Sequence, residues 1–256
     1  MSKPPQQHTK NSSKEQAFLD QYNPADYDQP SLTVDIVLLT VIDNMLHSLL
    51  VRRNDHPAKG VWSLPGGFVQ MTESLDQAAN RVISEKAGLR DIFVEQLYTF
   101  GATNRDPRGR VVSVAYYALV DSEKLIAELS KDDANRCLAQ VHIPWEDESG
   151  SWVTTHDENG ARLPLAFDHE EILGTAIGRL RGKLNYSPIG FQLLPNTFTL
   201  RQLQQIHETI LGHTVNKDAF RRRMLATGLV SSTGKREGQV GHRPAELYRF
   251  TSKSAV

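Results

Sequence analysis

The 256-residue sequence predicts an α/β domain with a mixed sheet, followed by a small domain of two helices and a β-hairpin. Three observations predict this fold class. Runs rich in Val, Ile, Leu and Thr alternate with amphipathic helical patterns between residues 32 and 184. Three residues that break regular structure follow, Pro188, Gly190 and Pro195. Beyond them lie two short helical patterns and a final strand-like run.

The elements of the first domain can be read in order. Strands are predicted at residues 32–42, 45–53, 62–68, 92–100, 111–120, 140–145 and 152–155, with a tight turn at Asp43-Asn44. Helices are predicted at residues 74–87, 123–129 and 169–184, with Thr72 or Ser74 capping the first and Asp168 the last. A mixed sheet with a helix on each face follows from this pattern.

The composition suggests how the chain is divided. Residues 1–30 are rich in Ser, Gln, Asn, Lys and Pro, which predicts a disordered N-terminal arm with one short helix around residues 13–22. We expect an effector-binding domain at residues 31–186, a linker at 187–197 and a second domain at 198–253. The single Cys137 excludes an internal disulfide framework. The sequence has no apolar run of transmembrane length and no signal-peptide pattern, so we expect a cytoplasmic protein with no membrane partner.

Charge is distributed unevenly along the chain. Residues 196–256 contain ten Lys or Arg and four Asp or Glu, a net charge of +6. The remaining 19 basic and 26 acidic residues give the rest of the chain a net charge of −7. This asymmetry indicates a basic nucleic-acid-binding module attached to an acidic body.

One stretch of the first domain, residues 67–89, reads as a glycine turn followed by an amphipathic helix that stops at Gly88. It resembles the Nudix box, the signature of Mg²⁺-dependent pyrophosphohydrolases. Seven positions match the box at its fixed spacing: Gly67, Glu73, Arg81, Ile83, Glu85, Gly88 and Leu89. The resemblance implies a Nudix α/β/α sandwich around the mixed sheet.

Two positions depart from the box. Val82 stands where the family has a Glu after the Arg, and Lys86 replaces the second Glu of the closing pair. Mg²⁺ requires oxygen ligands, which Val82 does not supply, and the charge of Lys86 favours an anion over a cation. We therefore expect a diphosphate site without catalytic residues, without a metal site and without a required cofactor. Glu73 and Glu85 leave weak Mg²⁺ binding open, and with it the alternative of an active ADP-ribose pyrophosphatase that carries an accessory C-terminal domain.

Several residues are candidates for contacting a nucleotide effector. The loop at residues 104–110 carries three arginines, which is typical either of a solvated hairpin tip or of a diphosphate clamp. The stretch at residues 105–116, which continues from this loop, also resembles Nudix proteins that handle ADP-ribose. Arg81 has a competing role as a salt-bridge partner of Glu73 or Glu85, and Trp62 as a core residue. The candidate effector-binding set is Gly66, Gly67, Arg81, Glu85, Arg105, Arg108 and Trp62.

The C-terminal segment predicts a winged helix-turn-helix. Thr199 and Gln202 form a capping-box pattern before the first helix, and Asn216 caps a second helix that runs to about Thr227. A loop at residues 231–244 and a strand at 247–250 would form the wing, and His207 is expected on the first helix's surface. Basic residues of the second helix and the wing are expected to contact DNA, rather than form a merely solvated face: Lys217, Arg221, Arg222, Arg223, Lys235, Arg236 and Arg243.

This combination resembles the NrtR family, the Nudix-related transcriptional regulators of NAD metabolism. The resemblance is most specific at residues 165–173, 194–200 and 243–250, the last following the Phe220-Arg-Arg-Arg223 run. It implies a homodimeric repressor of NAD-metabolism genes, acting at the nucleoid. Such a repressor binds a pseudo-palindromic double-stranded operator and is released by ADP-ribose or a related nucleotide. A third alternative, nucleotide or RNA-cap sensing without DNA, leaves the C-terminal domain unexplained.

Overall fold

The larger part of the chain is built around a mixed β-sheet. The computed structural model describes residues 13–129, 134–145, 150–184, 188–238 and 243–251. Within them, the sheet has the order β5-β6-β1-β2-β7-β8, with β3 paired to β2 and β4 to β1. β1 runs parallel to β6, and the other pairs are antiparallel. The strands are β1 (Ser31–Ile42), β2 (Met45–Arg52), β3 (Trp62–Ser63), β4 (Gly66–Phe68), β5 (Glu95–Phe100), β6 (Val111–Leu119), β7 (Arg136–His142) and β8 (Thr154–His156).

The predicted turn between the first two strands is confirmed. Asp43 and Asn44 both adopt positive φ angles, 49° and 59°, and Ile42 pairs with Met45. Two consecutive left-handed residues give the two-residue turn whose twist matches that of a β-hairpin. The last two strands are displaced from their predicted positions. β7 begins four residues earlier than expected, at Arg136, because pairing with β2 extends it into a segment whose own sequence shows no strand pattern.

Helices cover both faces of the sheet, as predicted. Helix α2 (Leu75–Val82) continues as a π-helical turn (Ile83–Ala87) to Gly88, and Ser74 caps it in a capping box with Gln77. It packs on Val34, Ile36 and Leu38 of β1, together with α3 (Ser122–Leu129). Helix α4 (His169–Lys183) packs on Val37 and Leu39 from the other side. Alternate residues of a strand point to opposite faces, so β1 supplies both cores.

The C-terminal elements form a helix-turn-helix with a hairpin. A 3₁₀ helix (Pro188–Leu193) leads to α5 (Leu200–Leu211), α6 (Lys217–Ala226), β9 (Val230–Arg236) and β10 (Glu246–Phe250). Thr199 and Gln202 form the predicted capping box, and Asn216 caps α6. The loop expected at residues 231–244 is wrong in its first part, because residues 231–236 pair with β10 as strand β9. Residues 239–242 lie outside the described part.

His207 does not lie on the helix surface as expected. Its side chain is buried, its ring centroid is 5.0 Å from that of Phe220, and its Nδ1 lies 3.0 Å from the carbonyl oxygen of Leu203. The helical pattern places His207 beside Leu203 and Ile206, and the polarity of its ring alone favours solvent. Burial lowers the pKa of His207, outweighing the backbone hydrogen bond that favours the charged form.

Helix α5 is shared between two hydrophobic cores. Ile206 and Ile210 pack into the core that holds α4, whereas Leu203 packs with Phe220 and Met224 of α6. Within the predicted linker, Leu193 is buried in the first core, and residues 185–187 lie outside the described part. The helix-turn-helix is therefore joined to the sheet by continuous apolar packing.

The N-terminal residues form a separate unit, Met1–Pro30. The short helix predicted there is present as α1 (Ser13–Gln21), followed by a 3₁₀ turn (Pro24–Asp26) that Asn23 caps. Residues 1–12, which belong to the predicted arm, lie outside the described residues. In the part of the chain that the structure describes, no helix is both long and apolar enough to cross a membrane.

Candidate effector and DNA-binding sites

A cavity of about 410 Å³ opens beside β4 and the Nudix-box helix. Gly66, Gly67, Glu85, Arg105 and Arg108 of the predicted effector set line it. Its charged lining comprises six basic residues (Arg52, Arg53, Lys86, Arg105, Arg108, Arg136) and four acidic ones (Asp35, Asp55, Glu85, Asp106). An excess of cationic side chains in a concave site favours an anionic ligand.

Internal packing limits what can replace the two glycines of the cavity, more strictly at Gly66 than at Gly67. A Cβ on Gly66 would lie 2.2 Å from Oδ1 of Asp35, and one on Gly67 would lie 3.2 Å from Cγ2 of Val82. The sequence suggested that the glycines admit a ligand close to the backbone. The structure adds a second reason, because a side chain on Gly66 would meet Asp35 of β1 and one on Gly67 would press on Val82 of α2.

A buried network of charges forms one wall of the cavity. Arg105 binds both carboxylate oxygens of Asp168, with distances of 2.7 Å from Nε and 2.6 Å from Nη2, and Nη2 lies 3.5 Å from Oδ2 of Asp35. Asp35 also accepts a hydrogen bond from Ser113. Burial works to lower the pKa of Arg105, but the hydrogen bonds and charges of Asp168 and Asp35 outweigh it and raise the pKa. Arg105 therefore stays charged and is held in place.

Two residues of this wall were not predicted to be part of the site: Asp168, which was expected only to cap α4, and His169. Asp168 occupies the N-cap position of α4, as predicted, but its side chain makes no capping hydrogen bond because it binds Arg105 instead. His169 lies beside it, fully buried, and its Nδ1 accepts a hydrogen bond of 2.9 Å from the backbone N–H of Leu64. Burial lowers the pKa of His169, so its ring stays neutral, with Nε2 3.7 Å from Oδ1 of Asp35.

Aromatic rings and further arginines also line the cavity. The guanidinium of Arg108 lies 4.9 Å from the ring centroid of Phe68 and 5.8 Å from that of Phe167, and it binds Asp106 through Nε and Nη2. The guanidinium of Arg53 also lies over Phe167, 4.7 Å from its ring centroid. Phe167 has a φ of 57°, a strained conformation for a non-glycine residue that is concentrated at functional sites. Sequence reasoning missed both residues as cavity contacts. Arg53 belongs to no motif, and Phe167 lies in the 165–173 stretch, which carried the family resemblance but suggested no contact with a ligand.

Arg81 and Trp62 of the predicted set lie outside the cavity lining. Arg81 binds Glu73 through two hydrogen bonds, 2.9 Å from Nε and 2.6 Å from Nη2, and donates a third of 3.0 Å to the carbonyl of Phe68. The hydrogen bond from Arg81 is the main reason why the pKa of Glu73 falls to about 2. Trp62 packs against the core under α4. Contact of either residue with an effector stays a prediction.

The residues of the Nudix box do not fit a Mg²⁺ site. Both carboxylate oxygens of Glu73 are engaged by Arg81, and Val82 is 1% exposed in the apolar core. Glu85 has a half-exposed side chain 3.3 Å from Arg81, beside Lys86 at the cavity. Among the described residues, no group of three His, Cys, Asp or Glu side chains is placed to hold a metal ion. Weak Mg²⁺ binding stays a prediction.

The candidate DNA-binding residues of the second helix are all exposed. Helix α6 buries Phe220 and Met224 and presents Lys217, Arg221, Arg222 and Arg223 to solvent. The guanidinium of Arg223 lies 5.6 Å from the ring centroid of Phe220, so its stem follows the packed side of the helix. The turn before α6 is fixed by Glu208, whose Oε1 accepts a hydrogen bond of 2.8 Å from the backbone N–H of Val215.

The wing lies next to this helix. Hydrogen bonds from Ser232 and Tyr248 lower the pKa of Glu246 at the start of β10, and the nearby charge of Arg221 adds to the effect. Lys235, Arg236 and Arg243 are exposed on the hairpin, and Arg236 donates a hydrogen bond of 3.5 Å to the carbonyl of Pro244. Phe198 pairs with Tyr248 of β10 in an isolated antiparallel β-bridge. The structure thus brings the predicted basic helix and basic wing together.

Comparisons with known proteins agree with both halves. Residues 32–173 match the family described as NUDIX domain, and residues 190–250 match the NrtR DNA-binding winged helix domain. The chain is 40% identical over 242 residues to a protein of Acinetobacter baylyi named ADPR responsive transcriptional repressor NtrR, covering 94% of this chain and 90% of that protein. Over 148 residues it is 34% identical to an ADP-ribose pyrophosphatase of Methanocaldococcus jannaschii, covering 57% of this chain and 73% of that protein.

A solved structure extends the likeness to the whole fold. The structure of Shewanella oneidensis NrtR complexed with a 27mer DNA is 36% identical, with a TM-score of 0.71, and the match covers 86% of this chain and 93% of that chain. The predicted Nudix α/β fold and C-terminal winged helix are confirmed.

Proposed function

We propose that this chain, which belongs to the NrtR family of Nudix-related transcriptional regulators, is a DNA-binding repressor that leaves its operator when ADP-ribose occupies the cavity. The observation that carries the proposal is the union, in one packed unit, of an arginine-rich cavity and a winged helix with a basic recognition helix. The Acinetobacter relative, whose name describes an ADPR responsive repressor, supports the pairing of effector and response.

The cavity chemistry supports a nucleoside diphosphate as effector. Arg105 is anchored by Asp168, whereas Arg53 and Arg108 stack on Phe167 with their charged groups at the cavity. Planar guanidinium groups suit phosphate oxygens, and aromatic rings suit a base or ribose. We assign diphosphate contacts to these arginines and keep Gly66, Gly67 and Glu85 as cavity-lining residues; no cofactor is required.

For DNA we assign α6 to the major groove and the β9–β10 hairpin to the phosphate backbone or minor groove. Lys217, Arg221 and Arg222 would contact base edges or phosphates, and Lys235, Arg236 and Arg243 would serve the wing. A homodimer on a pseudo-palindromic operator fits such a module, because two recognition helices reach half-sites about 34 Å apart. The regulated genes would be those of NAD metabolism, and the protein would act in the cytoplasm at the nucleoid.

We further propose that the Nudix half no longer hydrolyses its ligand. Glu73 is held by Arg81, Val82 lies in the core, and Lys86 brings a positive charge to the cavity. The competing function, an active ADP-ribose pyrophosphatase, is favoured by the likeness to the Methanocaldococcus enzyme over the Nudix half and by Glu73 and Glu85, which match the Nudix box. It leaves the exposed basic residues of α6 without a role.

The proposal is tested by measuring the affinity of the protein for DNA upstream of its own gene, with and without ADP-ribose. Binding that weakens as salt rises, and that ADP-ribose abolishes, is the expected result. In parallel, AMP release from ADP-ribose with Mg²⁺ present should stay at the background rate. Rapid AMP release together with an absence of DNA binding would contradict the repressor function and support the ADP-ribose pyrophosphatase.

A further inference from the structure

Helix α4 spans the distance between the cavity and the DNA-binding half. At its start, His169 lines the cavity and Asp168 holds Arg105. Its fifteen residues extend for about 22 Å. At its end, Arg181 contacts α5, the first helix of the helix-turn-helix. One helix therefore contacts the effector site at one end and the DNA-binding half at the other.

Arg181 makes a specific joint at the far end. Its side chain is 3% exposed, its Nε donates a hydrogen bond of 2.8 Å to the carbonyl of Ile210, and its Nη1 donates one of 2.8 Å to the carbonyl of Trp145. Ile210 lies in the last turn of α5, where backbone carbonyls lack partners within the helix. The guanidinium also lies 4.6 Å from the ring centroid of Trp145.

The turn that leads into the recognition helix abuts the same guanidinium. Gly212 ends α5 with a φ of 80°, and a Cβ there would lie 2.8 Å from Nη2 of Arg181. Five residues later α6 begins at Lys217. Any displacement of Arg181 therefore reaches the segment that sets the direction of α6.

Helix α4 is packed closely against its neighbours along its length. A Cβ on Gly174 would lie 1.9 Å from the carbonyl oxygen of Ser151, so the helix and the neighbouring segment touch without a gap. Ile172, Leu173, Ala176, Ile177 and Leu180 are all fully buried along its length. Packed interiors transmit displacement instead of absorbing it.

We propose that α4 is the lever that carries effector occupancy to the recognition helix, and that Arg181 is the positioning residue at its output end. The inference rests on the proposed function and names its means of regulation. An anion drawn to Arg105 competes with Asp168 for that guanidinium and so biases the start of α4. Arg181 passes the shift to Ile210 and the Gly212 turn, which changes the orientation of α6. Because a ligand shifts an equilibrium only by its differential affinity for the two states, the Arg105–Asp168 joint must differ between them.

The test compares Arg181→Met with a matched control, Arg179→Met. Arg179 lies on the same helix but is exposed. For each protein, the affinity for DNA upstream of its own gene is measured with and without saturating ADP-ribose, and ADP-ribose affinity is measured separately. The parent and Arg179→Met should show operator affinity weakened roughly 5- to 150-fold by ADP-ribose. In Arg181→Met the ratio of operator affinities measured without and with ADP-ribose should fall close to one, while ADP-ribose still binds.

An unchanged ratio in a folded Arg181→Met protein would overturn the lever. A parent protein whose DNA affinity ignores ADP-ribose would instead overturn the proposed function, and the lever with it. If Arg181→Met binds neither DNA nor ADP-ribose, Arg181→Lys, which keeps the buried charge, replaces it. The same ratio of operator affinities without and with ADP-ribose then decides, and a ratio equal to that of the parent would overturn the lever.

Amide hydrogen exchange of the unmodified protein gives an independent measurement that needs no variant. ADP-ribose should change exchange at the end of α4 and at residues 211–213, with the N-terminal turn of α5 at Leu200–Leu203 as an internal reference. Changes confined to the cavity would contradict the proposal.

Discussion

Replacing Gly66 by Ala tests how rigid the cavity wall is. The new Cβ would lie 2.2 Å from Oδ1 of Asp35, so the carboxylate would have to move by about 1 Å to reach ordinary contact. Asp35 is 6% exposed, accepts a hydrogen bond from Ser113 and lies 3.5 Å from Arg105. Overpacking a tight site and disturbing a buried hydrogen bond each destabilise by about 1–3 kcal/mol, so a total loss of about 2–6 kcal/mol is expected.

The assay is urea denaturation followed by tryptophan fluorescence, with ADP-ribose affinity measured on the same samples. Gly101→Ala is the matched control, since its Cβ would be 3.8 Å from the nearest atom, Nη2 of Arg110, and it should change the free energy of unfolding by less than about 0.5 kcal/mol. Gly66→Ala should also weaken ADP-ribose binding, because Arg105 depends on the position of Asp35. A Gly66→Ala protein with unchanged stability and ligand affinity would refute the rigid network.

Arg221→Ala should abolish operator binding but keep ADP-ribose binding, whereas the exposed Arg90→Ala should change neither; equal loss of both by Arg221→Ala would make it a folding residue. Lowering the pH from 7.5 to 5.5 should lower the free energy of unfolding, because His169 and His207 have pKa values lowered by burial. Below about pH 6.5 each histidine takes up a proton when the protein unfolds, so the free energy of unfolding falls by up to about 1.4 kcal/mol per pH unit for each. His207→Gln should reduce this dependence of the free energy of unfolding on pH, measured by urea denaturation between pH 7.5 and 5.5. Lys86→Ala should weaken ADP-ribose binding without producing Mg²⁺-dependent AMP release; release would support the hydrolase.

Much of the fold was accessible from local patterns. The capping boxes at Ser74 and Thr199, the turn at Asp43-Asn44 and the left-handed Gly88 and Gly212 each follow from backbone chemistry that one or two residues decide. The extension of β9 was missed, because residues 231–236 gain their strand conformation from pairing with β10 rather than from their own composition.

The cavity was only partly accessible, because its contacts join residues far apart in sequence. Arg105 was identified from its loop, but its partner Asp168 was assigned to a helix cap. A carboxylate at an N-cap position can bind the backbone or a distant guanidinium, and only the fold decides between them. Arg53 and Phe167 became visible as neighbours only when the sheet and α4 brought them together.

The coupling between the halves was equally hidden. The sequence indicated a linker at 187–197, but not that Ile206 and Ile210 of α5 enter the core that holds α4, where Leu193 of the linker also packs. An amphipathic helix shows which face is apolar but not how many cores that face enters. Helix α5 enters two cores, and we infer that this sharing allows ligand binding in the cavity to affect α6.

The most direct test of the repressor assignment is fluorescence anisotropy of this protein on DNA upstream of its own gene and of neighbouring NAD-synthesis genes, titrated with ADP-ribose. The account predicts tight binding that weakens with salt and is lost when ADP-ribose saturates the cavity. DNA affinity that stays constant, or rises, at saturating ADP-ribose would contradict it.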